Sequence, residues 1–113
     1  MPQYAIRPVE KHDLPLLDIA LRALSGDLGD THPASVEFLE QAGFGSTPAY
    51  YALLALNDDD ILSGAVVFSP LLSTTLGATG CFVSDLWVSD KTRGRGLGRR
   101  LLAEAVEFAQ AHW

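Results

Sequence analysis

Residues 81–113 read CFVSDLWVSDKTRGRGLGRRLLAEAVEFAQAHW, and their reading decides the fold. Phe82 to Val88 has the aromatic and β-branched character of a buried strand, with only Ser84 and Asp85 polar. Ser89 to Thr92 is a short polar turn. Arg93-Gly94-Arg95-Gly96-Leu97-Gly98 follows, then an amphipathic helix with apolar positions Leu97, Leu101, Ala105, Phe108 and Ala109. A strand feeding a glycine-rich turn that opens a helix suits an anion. The first helical N–H groups have no intrahelical partner, and the dipole there is positive. Glycine lets a ligand approach the backbone with no Cβ in the way.

Two common phosphate motifs are excluded. The P-loop pattern is absent, and the dinucleotide pattern fails at Arg99, where a third glycine should follow Gly94 and Gly96. The residues match Arg-x-x-Gly-x-Gly through Arg93, Gly96 and Gly98. Placed after a strand ending Leu86-Trp87-Val88, this resembles the coenzyme A loop of the GCN5-related N-acetyltransferases (GNAT superfamily). Glycine–arginine runs also occur in disordered RNA-binding tails, but those lack the flanking strand and helix.

Bulk properties agree with a compact anion site on an acidic body. The chain has 113 residues, 48% apolar and 19% charged, so one soluble globular domain is expected. Net charge is −6, yet five of the eight basic residues (Lys91, Arg93, Arg95, Arg99, Arg100) lie within ten positions. That asymmetry argues against general nucleic-acid binding and for a small anionic ligand. No run reaches membrane-spanning length and no export signal opens the chain, so a cytoplasmic protein without membrane contact is expected. The single cysteine, Cys81, excludes an internal disulfide and reads as a small buried apolar residue.

Ahead of the deciding stretch, Tyr4 to Val9 reads as a strand. A helix follows, capped by Asp13, with Leu14, Leu17, Leu21 and Leu24 as its stripe and an end near Ser25-Gly26. A polar loop, Gly26 to His32, leads to a second helix opened by Pro33 and stopped at Gly43. Ala49–Leu56 and Ile61–Phe68 form a hairpin around Asn57-Asp58-Asp59-Asp60, with Gly64 a bulge or close-approach point, and Ser69 to Gly80 is a loop. The acidic tip lacks the glycine and glutamate of a calcium loop, metal-ligand spacing is absent, and no metal is expected.

The order β-α-α-β-β-β-α predicts an α/β fold (α+β, mixed sheet) over 1–113 as a single domain, similar to the first half of the acetyltransferase fold. Family members continue into a parallel strand, a helix and two further strands. Here the helix runs to Trp113 without a glycine or asparagine stop. The expectation is a domain incomplete at its C-terminus, a homo-oligomer (dimer), or a chain whose partner supplies the missing strands.

The resemblance implies acetyl-CoA as co-substrate and an N-acetyltransferase that acylates a primary amine of a small molecule, polyamine-like in one reading, or of a protein. The alternative is an impaired acyl-CoA-binding relative. By resemblance, Leu86, Trp87 and Val88 line the pantetheine arm through their backbone. Arg93, Gly94, Arg95, Gly96, Leu97, Gly98 and Arg99 form the pyrophosphate loop. In diamine acetyltransferases a glutamate base stands where this chain has Ser84, and the next aspartate, tied to acceptor binding, is matched by Asp85. Asp85 is therefore the candidate for acceptor binding or base, on the strand face opposite Ser84. Asp30 and His32 fall where the family shapes its acceptor pocket, and the tyrosine acid common in the family lies beyond this stretch. Tyr50 and Tyr51 read as strand core.

Overall fold

A computed structural model of the chain describes residues 3–29 and 31–113. Its strands are β1 (Ala5–Pro8), β2 (Tyr51–Leu56), β3 (Leu62–Ser73) and β4 (Ala78–Val88); its helices are α1 (Leu14–Leu28), α2 (Val36–Gly43) and α3 (Leu97–His112). The expected order is present, on a sheet of order β1-β2-β3-β4. Every pair is antiparallel, so the mixed character of this α/β fold lies in its helices and not in a parallel strand pair among the described residues.

Helices cover both faces of the sheet, which explains why Ala52–Leu56 of β2 and Ala65–Phe68 of β3 are apolar at every position. Ala52, Leu54, Ala65 and Val67 pack on Leu14, Leu17, Ala20 and Leu21 of α1 and Leu39 of α2. The alternate residues Leu53, Ala55, Val66 and Phe68 pack on Leu97, Leu101 and Ala105 of α3. The four-residue spacing of Leu97, Leu101, Ala105 and Ala109 gives α3 one buried stripe. Tyr51, Phe68, Phe108 and Trp113 close its far end, with ring centroids 5.2 to 6.3 Å apart. No helix among the described residues is long and apolar enough to cross a membrane.

Several local expectations are corrected. Ser69–Gly80 is not a loop: β3 continues to Ser73, β4 starts at Ala78, and Ser73 pairs with Ala78. Helix α1 runs past Ser25 to Leu28 because Gly29, with φ 73°, supplies the left-handed stop. Helix α2 opens at Val36 rather than Pro33, since the Ser35 hydroxyl accepts the Phe38 N–H at 3.1 Å. Asp13 stands at the N-cap position without capping through its side chain. Its carboxylate instead takes both Arg7 guanidinium nitrogens, 2.9 Å at Nη2, and the Glu10 N–H at 2.9 Å, tying α1 to β1. Gly64 is the expected close-approach point: a Cβ there would lie 2.9 Å from Leu101 Cδ1 and 3.0 Å from the Trp87 carbonyl oxygen.

Candidate active site

The glycine-rich loop is built from the end of β4 outward. Ser89 N–H donates to Ser63 O at 2.9 Å, so the chain leaves the sheet still pinned to β3. Buried Thr92 completes the staple, its hydroxyl 3.2 Å from Ser63 O and 2.8 Å from Ser89 Oγ. Gly94 and Gly96 then adopt φ 80° and 81°, the left-handed region costly for any residue with a Cβ. Gly96 caps α3 without a side chain, and the first turn closes from Arg100 N–H to Gly96 O at 3.1 Å. The N–H groups of Leu97, Gly98 and Arg99 thus stand at the open helix end. Gly98 is different: a Cβ there would make ordinary contact with Val88, at 3.6 Å.

The arginines divide. The Arg93 side chain folds back onto the protein, with Nε donating to Val88 O at 3.0 Å, Nη2 to Asp27 at 2.7 Å and Nη1 to Asp90 at 2.8 Å. It braces the end of α1 against the loop. Arg95, Arg99 and Arg100 are exposed, and among the described residues none has an ion-pair partner. Sequence reasoning named Arg93 through its motif position but missed the acidic partner 66 residues upstream.

Strand β4 carries Leu86, Trp87 and Val88 into this loop and is the last strand of the sheet. A bulge interrupts it at Ser84: Asp85 pairs with Val67, but Val83 pairs with the next residue, Phe68. Val83, Leu86 and Val88 all pack toward α3, while Trp87 packs toward α1 and α2. Strict alternation between Ser84 and Asp85 is therefore overturned. The Ser84 hydroxyl lies 2.9 Å from the Asp85 carboxylate and 3.3 Å from Val67 O, so the two side chains meet.

Asp85 reaches a cavity of about 240 Å³ whose other walls come from α1, the loop after it, α2 and the approach to β2. Phe38, Leu39 and Tyr50 make it largely apolar; Ser25 and His32 complete its polar lining. His32 is mostly buried, its Nε2 3.2 Å from Asp18 Oδ1 and its Nδ1 3.3 Å from Ser25 Oγ. Asp18 also accepts Arg22 Nε at 2.8 Å. Burial works against the Asp18 charge, but the Arg22 and His32 bonds outweigh it and hold its carboxyl below the usual range. Tyr50 donates its hydroxyl to Leu39 O at 2.8 Å, and burial pushes its pKa up to about 12. It is a wall brace ahead of β2, whereas Tyr51 belongs to the aromatic core. Asp30 lies outside the described residues. Asp18 and Ser25 were missed in the sequence; their spacing of seven, two helical turns, is the signal that would have found them. Cys81 is half-buried rather than a core residue: it packs toward α3, and its burial pushes the thiol pKa up, which does not suit a nucleophile.

Glu10, His12 and Asp13 bring one ligand atom each within 4.8 Å, but Asp13 is already committed to Arg7 and the Glu10 N–H. A larger cavity of about 480 Å³ lies between Thr79–Cys81 and the C-terminal half of α3, away from Asp85.

Comparison with known proteins bears on this arrangement. No curated protein matches the chain by sequence. Among solved structures, a ribosomal-protein-alanine N-acetyltransferase from Brucella melitensis biovar Abortus superposes with a TM-score of 0.77 at 21% identity, covering 96% of this chain and 74% of that one. An aminoglycoside acetyltransferase from an uncultured soil metagenomic sample, in complex with sisomicin, gives 0.77 at 17% identity, covering 96% and 70%. An aminoglycoside N-acetyltransferase in complex with CoA gives 0.77 at 16% identity, covering 98% and 72%. At these identities the likeness is one of fold. The sequence profile of the acetyltransferase (GNAT) family matches residues 16–112, most of the chain, and with the strand, glycine loop and helix standing in that order the chain belongs to this family.

Proposed function

We propose that the protein is an acetyl-CoA-dependent N-acetyltransferase that acylates a primary amine. The observation that carries the reading is the loop: two glycines in left-handed backbone, an open helix end, and exposed Arg95 and Arg99 beside it. This donor set fits a pyrophosphate without a metal, because helix N–H groups and guanidinium groups together neutralise a dianion. Leu86, Trp87 and Val88 would flank the pantetheine arm, and Gly94 to Arg99 would hold the phosphates. When bound, the co-substrate supplies the activated acyl group.

The acceptor would enter the cavity beside Asp85. Its apolar walls and carboxylate suit an ammonium group on a partly apolar body, the charge near Asp85 and the carbon skeleton against Phe38 and Leu39. A small molecule, including a polyamine-like one, or a protein N-terminus meets that description; the structural neighbours named above act on a ribosomal protein alanine and on aminoglycosides. We place the protein in the cytoplasm, where acetyl-CoA is available, and expect it to self-associate or to bind a partner along β4.

The test is release of free coenzyme A thiol from acetyl-CoA with a panel of amines, beside calorimetric binding of acetyl-CoA. Turnover with at least one amine is expected. Ser84 in place of a glutamate favours a second reading, an acyl-CoA-binding protein with impaired catalysis. Tight binding without turnover, unchanged in Asp85→Ala, would select it.

A further inference from the structure

The Asp18–His32–Ser25 chain has no role in the reading so far, and its geometry fixes the direction of its hydrogen bonds. Asp18 is held ionised by Arg22 and His32, and an ionised carboxylate only accepts. The His32 Nε2 facing it at 3.2 Å must therefore carry the proton. In a neutral ring this leaves Nδ1 as an acceptor, so the Ser25 hydroxyl, 3.3 Å away, points its proton at the ring. The lone pairs of Ser25 Oγ remain for whatever occupies the cavity that Ser25, His32 and Asp85 line together. A loop histidine that served only to anchor the loop would need one such partner; this one has a carboxylate behind it and a hydroxyl in front.

We infer that Ser25, His32 and Asp18 form the proton-accepting relay for the amine, in place of the carboxylate base that Ser84 cannot provide. This rests on the acyl-transfer reading. A bound ammonium gives one proton to Ser25 Oγ as that hydroxyl passes its own to His32 Nδ1, and Asp18 stabilises the imidazolium. The freed amine lone pair forms the C–N bond at the acyl carbon, and the C–S bond breaks with its electron pair left on sulfur. The surplus proton on nitrogen passes to that sulfur, and His32 returns its proton to solvent. The charged and titratable groups around the ring are Asp18 and Arg22 from α1, Tyr50 ahead of β2 and Asp85 from β4. Ser25 touches the substrate in this scheme; His32 and Asp18 act through it.

Three measurements test the relay. Nitrogen-15 NMR of the wild type, at a pH where the ring is neutral, should show His32 as the Nε2–H tautomer, and an Nδ1–H tautomer overturns the relay whatever the activity. His32→Gln should bind acetyl-CoA as the wild type does, lose about 100-fold in kcat/KM, and lose the acidic limb of its pH profile. Ser25→Ala should fall at least tenfold and Ser25→Thr recover most of that loss. If wild-type turnover is present and His32→Gln keeps both rate and profile, the relay fails while acyl transfer stands. If the wild type turns over no amine, acyl transfer fails and the relay falls with it, even with the Nε2–H tautomer.

Discussion

At the scale of single residues, three glycines of this chain do three different jobs, and substitution separates them. Gly64→Ala should destabilise the fold by about 1–3 kcal/mol, because its Cβ would meet the Trp87 carbonyl, which is backbone and cannot swing aside. Gly96→Ala should cost about 1–2 kcal/mol through its left-handed backbone alone, since nothing lies within 4 Å of the new methyl. Gly98→Ala should leave stability nearly unchanged. Urea denaturation of the three variants ranks them, and a neutral Gly64→Ala would contradict the packing described. The arginines make a similar contrast. Arg95→Ala or Arg99→Ala should weaken acetyl-CoA by about 1.5–3 kcal/mol, the size of a charge-assisted bond, and Arg100→Ala by much less. Equal losses in a calorimeter would mean that only the general positive field matters. The motif position of Arg93 was legible in sequence, but its bond to Asp27 was not, because local patterning carries no information on a partner 66 residues away.

Elements were legible where periodicity and local punctuation agree. The strand–loop–helix of residues 81–113 and the hairpin around Asn57 follow from alternation and turn chemistry; Asn57 Oδ1 does accept from the Asp59 and Ile61 N–H groups, at 2.8 and 3.0 Å. The outer half of the β3–β4 hairpin was not legible. Ser69, Pro70, Thr79 and Gly80 read as loop residues, yet pairing between β3 and β4 across the hairpin holds them extended. Proline is tolerated at position 70 because β2 stops pairing at Phe68, leaving β3 an edge there. The joint between β1 and α1 gives a pH prediction. Hydrogen bonds from Arg7, outweighing burial, hold the Asp13 carboxyl down at about 2 against an ordinary 3.8. A depressed folded pKa stabilises above the unfolded value, so the contribution, on the order of 2 kcal/mol, should be whole above pH 4 and vanish as pH falls toward 2. Comparing denaturation of wild type and Asp13→Asn across that range checks it: their difference should shrink on acidification. A constant difference would remove the Arg7–Asp13 tie from the account.

For the whole molecule, the sheet order leaves β4 as an edge strand, and Leu71, Leu72 and Phe82 on the same hairpin are 50%, 69% and 55% exposed. Exposed apolar edges template pairing. Self-association through β4 is therefore expected at micromolar concentration, and Phe82→Lys should shift sedimentation toward the monomer. A wild type that sediments as a monomer would show that this edge is tolerated bare. Trp113 packs with Tyr51, Phe68 and Phe108, so changing it would injure the core rather than an interface. The overall division of labour is clear in physical terms: one sheet, α3 and its glycine loop on one face, and α1 with α2 enclosing a small cavity on the other. On the function proposed above, the glycine loop binds acetyl-CoA. The most direct measurement is calorimetric titration of acetyl-CoA into the wild type and into folded Gly96→Glu, which sets a carboxylate at the mouth of the helix. Saturable binding by the wild type and none by the variant is the predicted result; equal affinity in both would contradict the assignment of this loop.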